Sequence, residues 1–302
     1  MSFKLVIVGS GSAVPTLQRA VTSQYINFNE RRILIDCGEG TQLQLRKFKV
    51  PFQRLQFIFI SHLHGDHFLG IFGLLASMNL LGRTQKLIIF CPEDLEKLIQ
   101  FQFELTGVSL DYEIEFRILS CKDKSLIFED NLLEIYAFPV KHRIPCYGFL
   151  FAEKAKERNI DKDKITQYQI SRSEIWSIKN GADIERDGKL IKHEELTLAP
   201  KKSIQYAFCT DTKYYAKIAE WVKDVDLLYH ESTFTEKQRD RALATKHSTA
   251  LDAGKIAKEA RVKKLLLGHF SARFDGTEEL KKEAMQVFEN VECVQDGNEY
   301  NL

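Results

Sequence analysis

The 302-residue sequence carries almost no net charge, with 43 lysines and arginines against 42 aspartates and glutamates. A chain so balanced has no overall field to draw it to nucleic acid or an anionic membrane, so any polyanion must be met by a local patch. Long apolar runs are missing as well. Nothing approaches the ~18 apolar residues of a membrane span, and Met1 to Val8 is too short in its apolar stretch for a signal peptide. A cytoplasmic protein is the expectation. The six cysteines lie far apart and form no Cys-x-x-Cys pair. They read as reduced, mostly buried thiols, which sets aside a disulfide framework or a zinc knuckle. Short repeats and low-complexity tracts are absent too. What remains is an ordinary globular composition, 44% hydrophobic, with enough material for a sizeable core in one large domain or two modest ones.

Histidine is also scarce, with eight copies, yet three of them fall in Ser61-His62-Leu63-His64-Gly65-Asp66-His67. This segment follows the apolar run Phe57-Ile58-Phe59-Ile60 and precedes a long helical pattern. Neutral imidazoles and an ionised carboxylate are donors that zinc prefers, and a turn at a strand end can aim alternate side chains into one cavity. Four donors this close crowd a single tetrahedral ion that must also keep a water, so the spacing suggests two adjacent metals. Surface histidines in a polar loop would leave the clustering unexplained.

Along the chain, short strands are expected at Phe3 to Val8, Gln24 to Phe28, Arg32 to Asp36 and Gln56 to Ile60, with helices over Gly40 to Phe48, His67 to Leu81 and Pro92 to Leu105. Further strands follow between Lys86 and Ala152. The last third alternates again: strands at Gln205 to Cys209, Asp226 to His230, Lys263 to Gly268 and Glu292 to Gln295, helices at Tyr214 to Val222, Thr249 to Ala260 and Thr277 to Glu289. Two strand-rich halves, each with its own helices, make this an α/β chain and predict a four-layer sandwich with two packed sheets inside. Residues 153–202 break the rhythm. They mix charges of both signs, hold the turn signals Lys179-Asn180-Gly181 and Asp187-Gly188, and lack a sustained apolar face. They read as an insertion within one domain spanning 1–302, either a solvated excursion or an arm that grips a substrate.

A dinuclear site needs more donors than one turn supplies. Isolated candidates stand at the ends of expected strands: His142 after Phe138-Pro139-Val140, Asp211 after Tyr206-Ala207-Phe208-Cys209, and His269 after Leu265-Leu266-Leu267-Gly268. Facing one sheet edge, they would complete two coordination shells, with Asp211 able to bridge. Gly9-Ser10-Gly11-Ser12-Ala13 mimics half of a dinucleotide fingerprint but lacks its third glycine, and reads as a tight turn lining the cleft. Arg273 suits either a phosphate or a structural salt bridge.

His62-x-His64-x-Asp66-His67 followed by His142, Asp211 and His269 resembles the metallo-β-lactamase superfamily. More closely, Phe59 to His67, Tyr229-His230-Glu231-Ser232-Thr233-Phe234, Lys246-His247-Ser248-Thr249 and Gly268-His269-Phe270-Ser271-Ala272-Arg273-Phe274 resemble the ribonuclease Z family, whose members trim tRNA precursor 3′ ends. The resemblance implies a metallo-β-lactamase-like αβ/βα sandwich and a homodimer acting on tRNA precursors with two Zn2+ per subunit. By it, His62, His64 and His142 hold one zinc, Asp66, His67 and His269 the other, and Asp211 both. Asp66 would also orient the attacking water. His247, held by Glu231, would protonate the departing ribose oxygen; Glu231 could instead orient a metal ligand.

Two departures stand out. Ile165 to Arg172 contains neither glycine nor proline where such arms often have both, and Pro15-Thr16-Leu17-Gln18-Arg19-Ala20 lacks the asparagine often found after its arginine. Both bear on how RNA is held, not on hydrolysis. Two other functions remain open at this level: a hydrolase of small phosphodiesters, sulfate esters or thioesters on the same fold, and a catalytically silent RNA-binding subunit, against which the full ligand set speaks.

Overall fold

A computed structural model describes residues 3–200 and 202–302, so Met1 and Ser2 of the signal-peptide argument and Lys201 of the insertion lie outside it. The chain divides into two compact units, one of residues 1–128, 135–151 and 205–302 and one of residues 129–134 and 152–204.

The first unit is built on two seven-stranded sheets. One runs in the order Glu299–Asn301, Phe3–Gly9, Ser23–Phe28, Arg31–Ile35, Phe57–Phe59, Leu87–Cys91, Ile114–Ile118. The other runs Val291–Cys293, Lys264–Gly268, Leu227–Glu231, Gln205–Cys209, Tyr147–Glu153, Leu133–Pro139, Ser125–Glu129. Strand alternation sends one set of side chains between the sheets and the other toward helices. From the first strand, Phe3 meets Tyr206 of the other sheet at 5.7 Å between ring centroids. Its neighbours Val6 and Val8 join Leu74, Leu75 and Met78 of helix Ile71–Leu80 and Leu95 and Ile99 of helix Glu93–Thr106. Between the sheets, Phe59 packs edge-on against Phe149 at 5.2 Å, and the buried Tyr206 hydroxyl donates to Gln24 Oε1. The expected α/β sandwich of paired sheets is what forms. Among the described residues no helix is long and apolar enough to cross a membrane.

Parallel pairing brings functional residues to common edges. Ile35 and Phe90 both lie in register with Phe59, so Asp36 and the Ser61-His62 turn leave the first sheet at the same end. In the second sheet Cys209 pairs with His230 and Glu231 with Gly268, which places Asp211, Glu231 and His269 together. Ligand sites in such sheets gather outside the carboxyl ends of parallel strands.

The single helix expected over His67 to Leu81 is two, Gly65–Phe68 and Ile71–Leu80. The break has a steric cause. Gly70 donates its N–H to Cys37 O at 2.9 Å, and a Cβ there would stand 2.0 Å from the Gly38 carbonyl oxygen. Only a glycine lets the His67 turn lie this close to the loop after Asp36.

The insertion is more structured than its sequence suggests. In the second unit Ile170, Ile178, Ile184, Ile191 and Leu196 form a small buried core. Helix Lys162–Gln167 is capped by Asp161, helix Arg172–Lys179 by a reciprocal Ser171–Glu174 box, and Asp187-Gly188, with φ of 52° and 72°, closes the hairpin of Ile184–Arg186 and Lys189–Ile191. The sequence hides this core because each short element contributes only one or two apolar residues to it, too few to register as a face.

Candidate metal centre

All seven expected donors, His62, His64, Asp66, His67, His142, Asp211 and His269, converge in the first unit as two groups. In the first, His64 Nδ1 is 3.0 Å from His62 Nε2 and 3.1 Å from His142 Nε2. Asp211 Oδ2 stands 3.5 Å from His62 Nε2 and 3.7 Å from His142 Nε2. Donors bound tetrahedrally at about 2.0–2.1 Å lie about 3.3 Å apart, so this spacing suits one small divalent ion. The remaining ring nitrogens are engaged elsewhere: His62 Nδ1 meets Ser61 Oγ at 3.0 Å, and His142 Nδ1–H donates to Lys246 O at 3.1 Å.

In the second group, His67 Nε2 lies 3.3 Å from Asp66 Oδ2 and 3.2 Å from Asp211 Oδ1. His269 Nε2 lies 3.6 Å and 3.1 Å from the same two oxygens. Asp211 therefore turns one oxygen to each group. Both Nε2 atoms are buried without a hydrogen-bond partner, a costly state for a polar atom unless a cation accepts its lone pair. Burial opposes charge on His67, yet the carboxylates of Asp211, Asp66 and Asp36 together raise its pKa well above the usual value. His62, less offset by carboxylate, is pushed well below, first by burial and then by His67. The cavity thus favours positive charge at its centre. The donor set fits a metal ion, and the chain carries a metal-binding site.

Backbone strain aims these side chains. Asp36, Asp211 and His269 hold φ of 56°, 44° and 58°, left-handed values rare for residues with a Cβ. Each sits just past a strand, where the unusual turn sends its side chain back over the sheet edge.

Glu231 is fully buried beside the second group. Its Oε1 accepts from Thr212 N–H at 2.6 Å and His247 Nδ1–H at 2.9 Å, while Oε2 accepts from the Thr233 hydroxyl at 2.6 Å. Thr233 Oγ1 in turn accepts from His269 Nδ1–H at 2.9 Å. Glu231 therefore contacts His247 directly and reaches His269 through Thr233. The His247 Nε2 stands back from the donors, 3.9 Å from Asp211 Oδ2. Burial pushes its pKa down, but the ion pair with Glu231 wins and holds it up at about 9.

Sequence reasoning passed over Asp36. Its buried carboxylate accepts from His67 Nδ1–H at 2.7 Å, Ser61 N–H at 2.8 Å and Ser61 Oγ–H at 2.9 Å, fixing the His67 tautomer and the turn that carries His62. An acid closing the apolar strand Ile33-Leu34-Ile35, just before Cys37-Gly38, was the available signal. Thr233, in the same segment as Glu231, bridges Glu231 and His269, a role its sequence position does not reveal. The Ser12-Ala13 turn lines the cleft as expected, and the Ala13 N–H also donates to Asp66 Oδ2 at 2.7 Å. Arg273 forms no ion pair among the described residues; it donates to Ser271 Oγ at 3.1 Å and lines a cavity of about 710 Å³ over the donors. All six cysteines are free.

Residues 3–172 match the family model described as Anti-Pycsar protein Apyc1. A ribonuclease Z from Parabacteroides distasonis is 43% identical over 299 residues, which is 98% of this chain and 97% of the relative. The chain belongs to the ribonuclease Z family. The Apyc1 family, to which it also belongs through residues 3–172, is matched only up to a point before Asp211, Glu231, His247 and His269; the ribonuclease Z match spans both units. Among solved structures, the short form of human tRNase Z is 26% identical with a TM-score of 0.72, covering 98% of each chain. The metallo-β-lactamase fold protein YhfI from Bacillus subtilis, 21% identical with a TM-score of 0.71 over the full length of both, shares the fold. Ribonuclease Z membership makes the chain a ribonuclease, a hydrolase of the metallo-β-lactamase fold.

Proposed function

We propose that this protein is a zinc-dependent endoribonuclease that removes 3′ trailers from tRNA precursors and leaves a 3′-hydroxyl on the tRNA. The observation that carries the reading is the pair of His247 with the buried Glu231, set against a complete seven-residue donor set. Two zinc ions per subunit would be held by His62, His64, His142 and Asp211 Oδ2 on one side and by Asp66, His67, His269 and Asp211 Oδ1 on the other. When bound, such a pair acidifies water and neutralises charge on the phosphodiester oxygens.

The chain's own groups divide the remaining work. Asp66, steadied by the Ala13 N–H, orients the attacking water and accepts its proton. His247, its Nδ1–H committed to Glu231, presents Nε2–H to the ribose O3′ as the P–O bond breaks. Protonation there matters because a ribose alkoxide is a poor leaving group. Glu231 positions His247 and keeps it charged. The second unit, with Lys154, Lys156, Lys162, Lys164 and Arg172, serves as the arm that grips the RNA.

We also propose a homodimer, following the family resemblance, and a cytoplasmic location. Light scattering should return twice the 34.9 kDa chain mass, and a monomer at working concentration would refute the dimer.

Zinc-loaded protein incubated with a 3′-extended tRNA precursor should cut at the end of the acceptor stem, a metal-stripped sample should not, and added zinc should restore cleavage. A sample verified to hold two metal ions that leaves the precursor intact would sink the reading and move the substrate to a smaller phosphodiester.

A further inference from the structure

The cavity over the donors is rimmed by three guanidinium groups, from Arg143, Arg241 and Arg273, with Glu39 as the one further acid beside the donor carboxylates. Arg143 is tied to the end of the helix that carries Arg241, and both residues line the cavity. Arg143 Nε–H donates to Thr245 O at 3.3 Å, and the Thr245 hydroxyl donates to Arg241 O at 2.8 Å. Two more bonds tie the loops that carry them: His142 Nδ1–H to Lys246 O and Lys246 Nζ to His142 O, each 3.1 Å. Both arginines are exposed, and neither forms an ion pair among the described residues. Their neighbour Arg239, by contrast, is paired with Glu236 and with Asp252.

Two exposed arginines without acidic partners thus line a cavity that already holds the cation-binding donors. Exposed guanidinium groups free of acidic partners are open to an anion, and their planar fork suits phosphate oxygens in a two-pronged contact. The arrangement also has a direction. His247 lies two residues beyond Thr245, and in the functional reading above, on which this inference rests, His247 faces the O3′ that stays with the tRNA. We infer that Arg143 and Arg241 form a subsite for backbone phosphates of the acceptor-strand nucleotides immediately 5′ of the scissile bond. Arg273, anchored separately on Ser271, lies outside it.

Binding of two product RNAs tests this: a mature tRNA ending in a 3′-hydroxyl, and a 5′-phosphorylated trailer oligonucleotide. Each is titrated by fluorescence anisotropy across a salt series against the metal-loaded wild type, R143Q, R241Q, R143Q/R241Q and R143K/R241K. Metal content and melting temperature establish that each variant is folded. Each lost phosphate contact should flatten the log affinity against log salt line for tRNA by about 0.7–0.9, so the double glutamine variant loses about 1.4–1.8 and the lysine pair recovers it. The trailer line should hold its slope. An unchanged tRNA slope in the double variant, or an equal loss for trailer and tRNA, overturns the subsite while leaving the enzyme's function standing. Wild-type protein that neither cuts the precursor nor binds tRNA overturns the functional reading, and the subsite with it.

Discussion

Replacing His247 by alanine should separate two steps that a simple loss of activity would confound. The structure gives this side chain one committed nitrogen, Nδ1 on Glu231, and one that faces the cavity 3.9 Å from Asp211. It also clusters with Asp211 and His269 but belongs to neither of the two proposed ligand groups, so its removal should leave all seven proposed donors in place. Held up at about 9, its pKa keeps it protonated at neutral pH. General acid assistance of this kind contributes about 10²–10⁴-fold, or about 2.7–5.4 kcal/mol of barrier at 1.36 kcal/mol per decade. The H247A variant should therefore lose about two to four decades of single-turnover rate on a tRNA precursor, whose leaving group is a ribose oxygen, and under about one decade on a p-nitrophenyl phosphodiester, whose leaving group departs without a proton. Glu231→Gln should act in the same direction more mildly. In the wild type, the rate on RNA falls as pH rises through the His247 pKa near 9, because the acid form is then lost. Without the Glu231 charge, burial is left as the main influence and moves that limb to lower pH. Equal losses on both substrates, with the metal content unchanged, would refute the acid role and return His247 to a structural part.

Two further outcomes follow from other parts of the molecule. Asp36→Ala removes the acceptor that fixes the His67 tautomer and should weaken metal binding by about 10–100-fold, read by competition with a chromogenic chelator; unchanged affinity would make Asp36 a purely structural residue. Removing residues 153–202 should weaken precursor binding and flatten its salt dependence while sparing hydrolysis of the p-nitrophenyl ester, and parallel losses on both would argue against a gripping arm.

Much of this was legible because the residues that carry chemistry sit where a simple pattern ends. Strands such as Gln205–Cys209 and Lys264–Gly268 are apolar after their first residue, as strands buried on both faces should be, and the polar residues just past them, Thr210-Asp211 and His269, stand out. The edge strand Glu299–Asn301 was missed for the opposite reason: exposed and only three residues long, it has no pattern to read. So was the split of the His67 helix, which depends on Gly38 approaching Gly70 across the fold. Asp36 and Thr233 escaped notice because their work is done on other side chains, and which side chains those are is decided by tertiary packing. The small isoleucine core of the insertion likewise exists only once its elements are folded together.

The pairing of Phe3–Gly9 with Glu299–Asn301 has a consequence for how this nuclease comes into being. Just ahead of that last strand, Asp296 accepts from the N–H and hydroxyl of Ser10 and from the N–H of Ala20, pinning the turn whose Ala13 steadies Asp66. A copy whose synthesis stops short of His269 would lack one of the seven proposed donors, and one that stops short of Asp296 would lack the anchor of that turn. On the proposed ligand set, the donors can therefore come together only after nearly all of the described chain has been made.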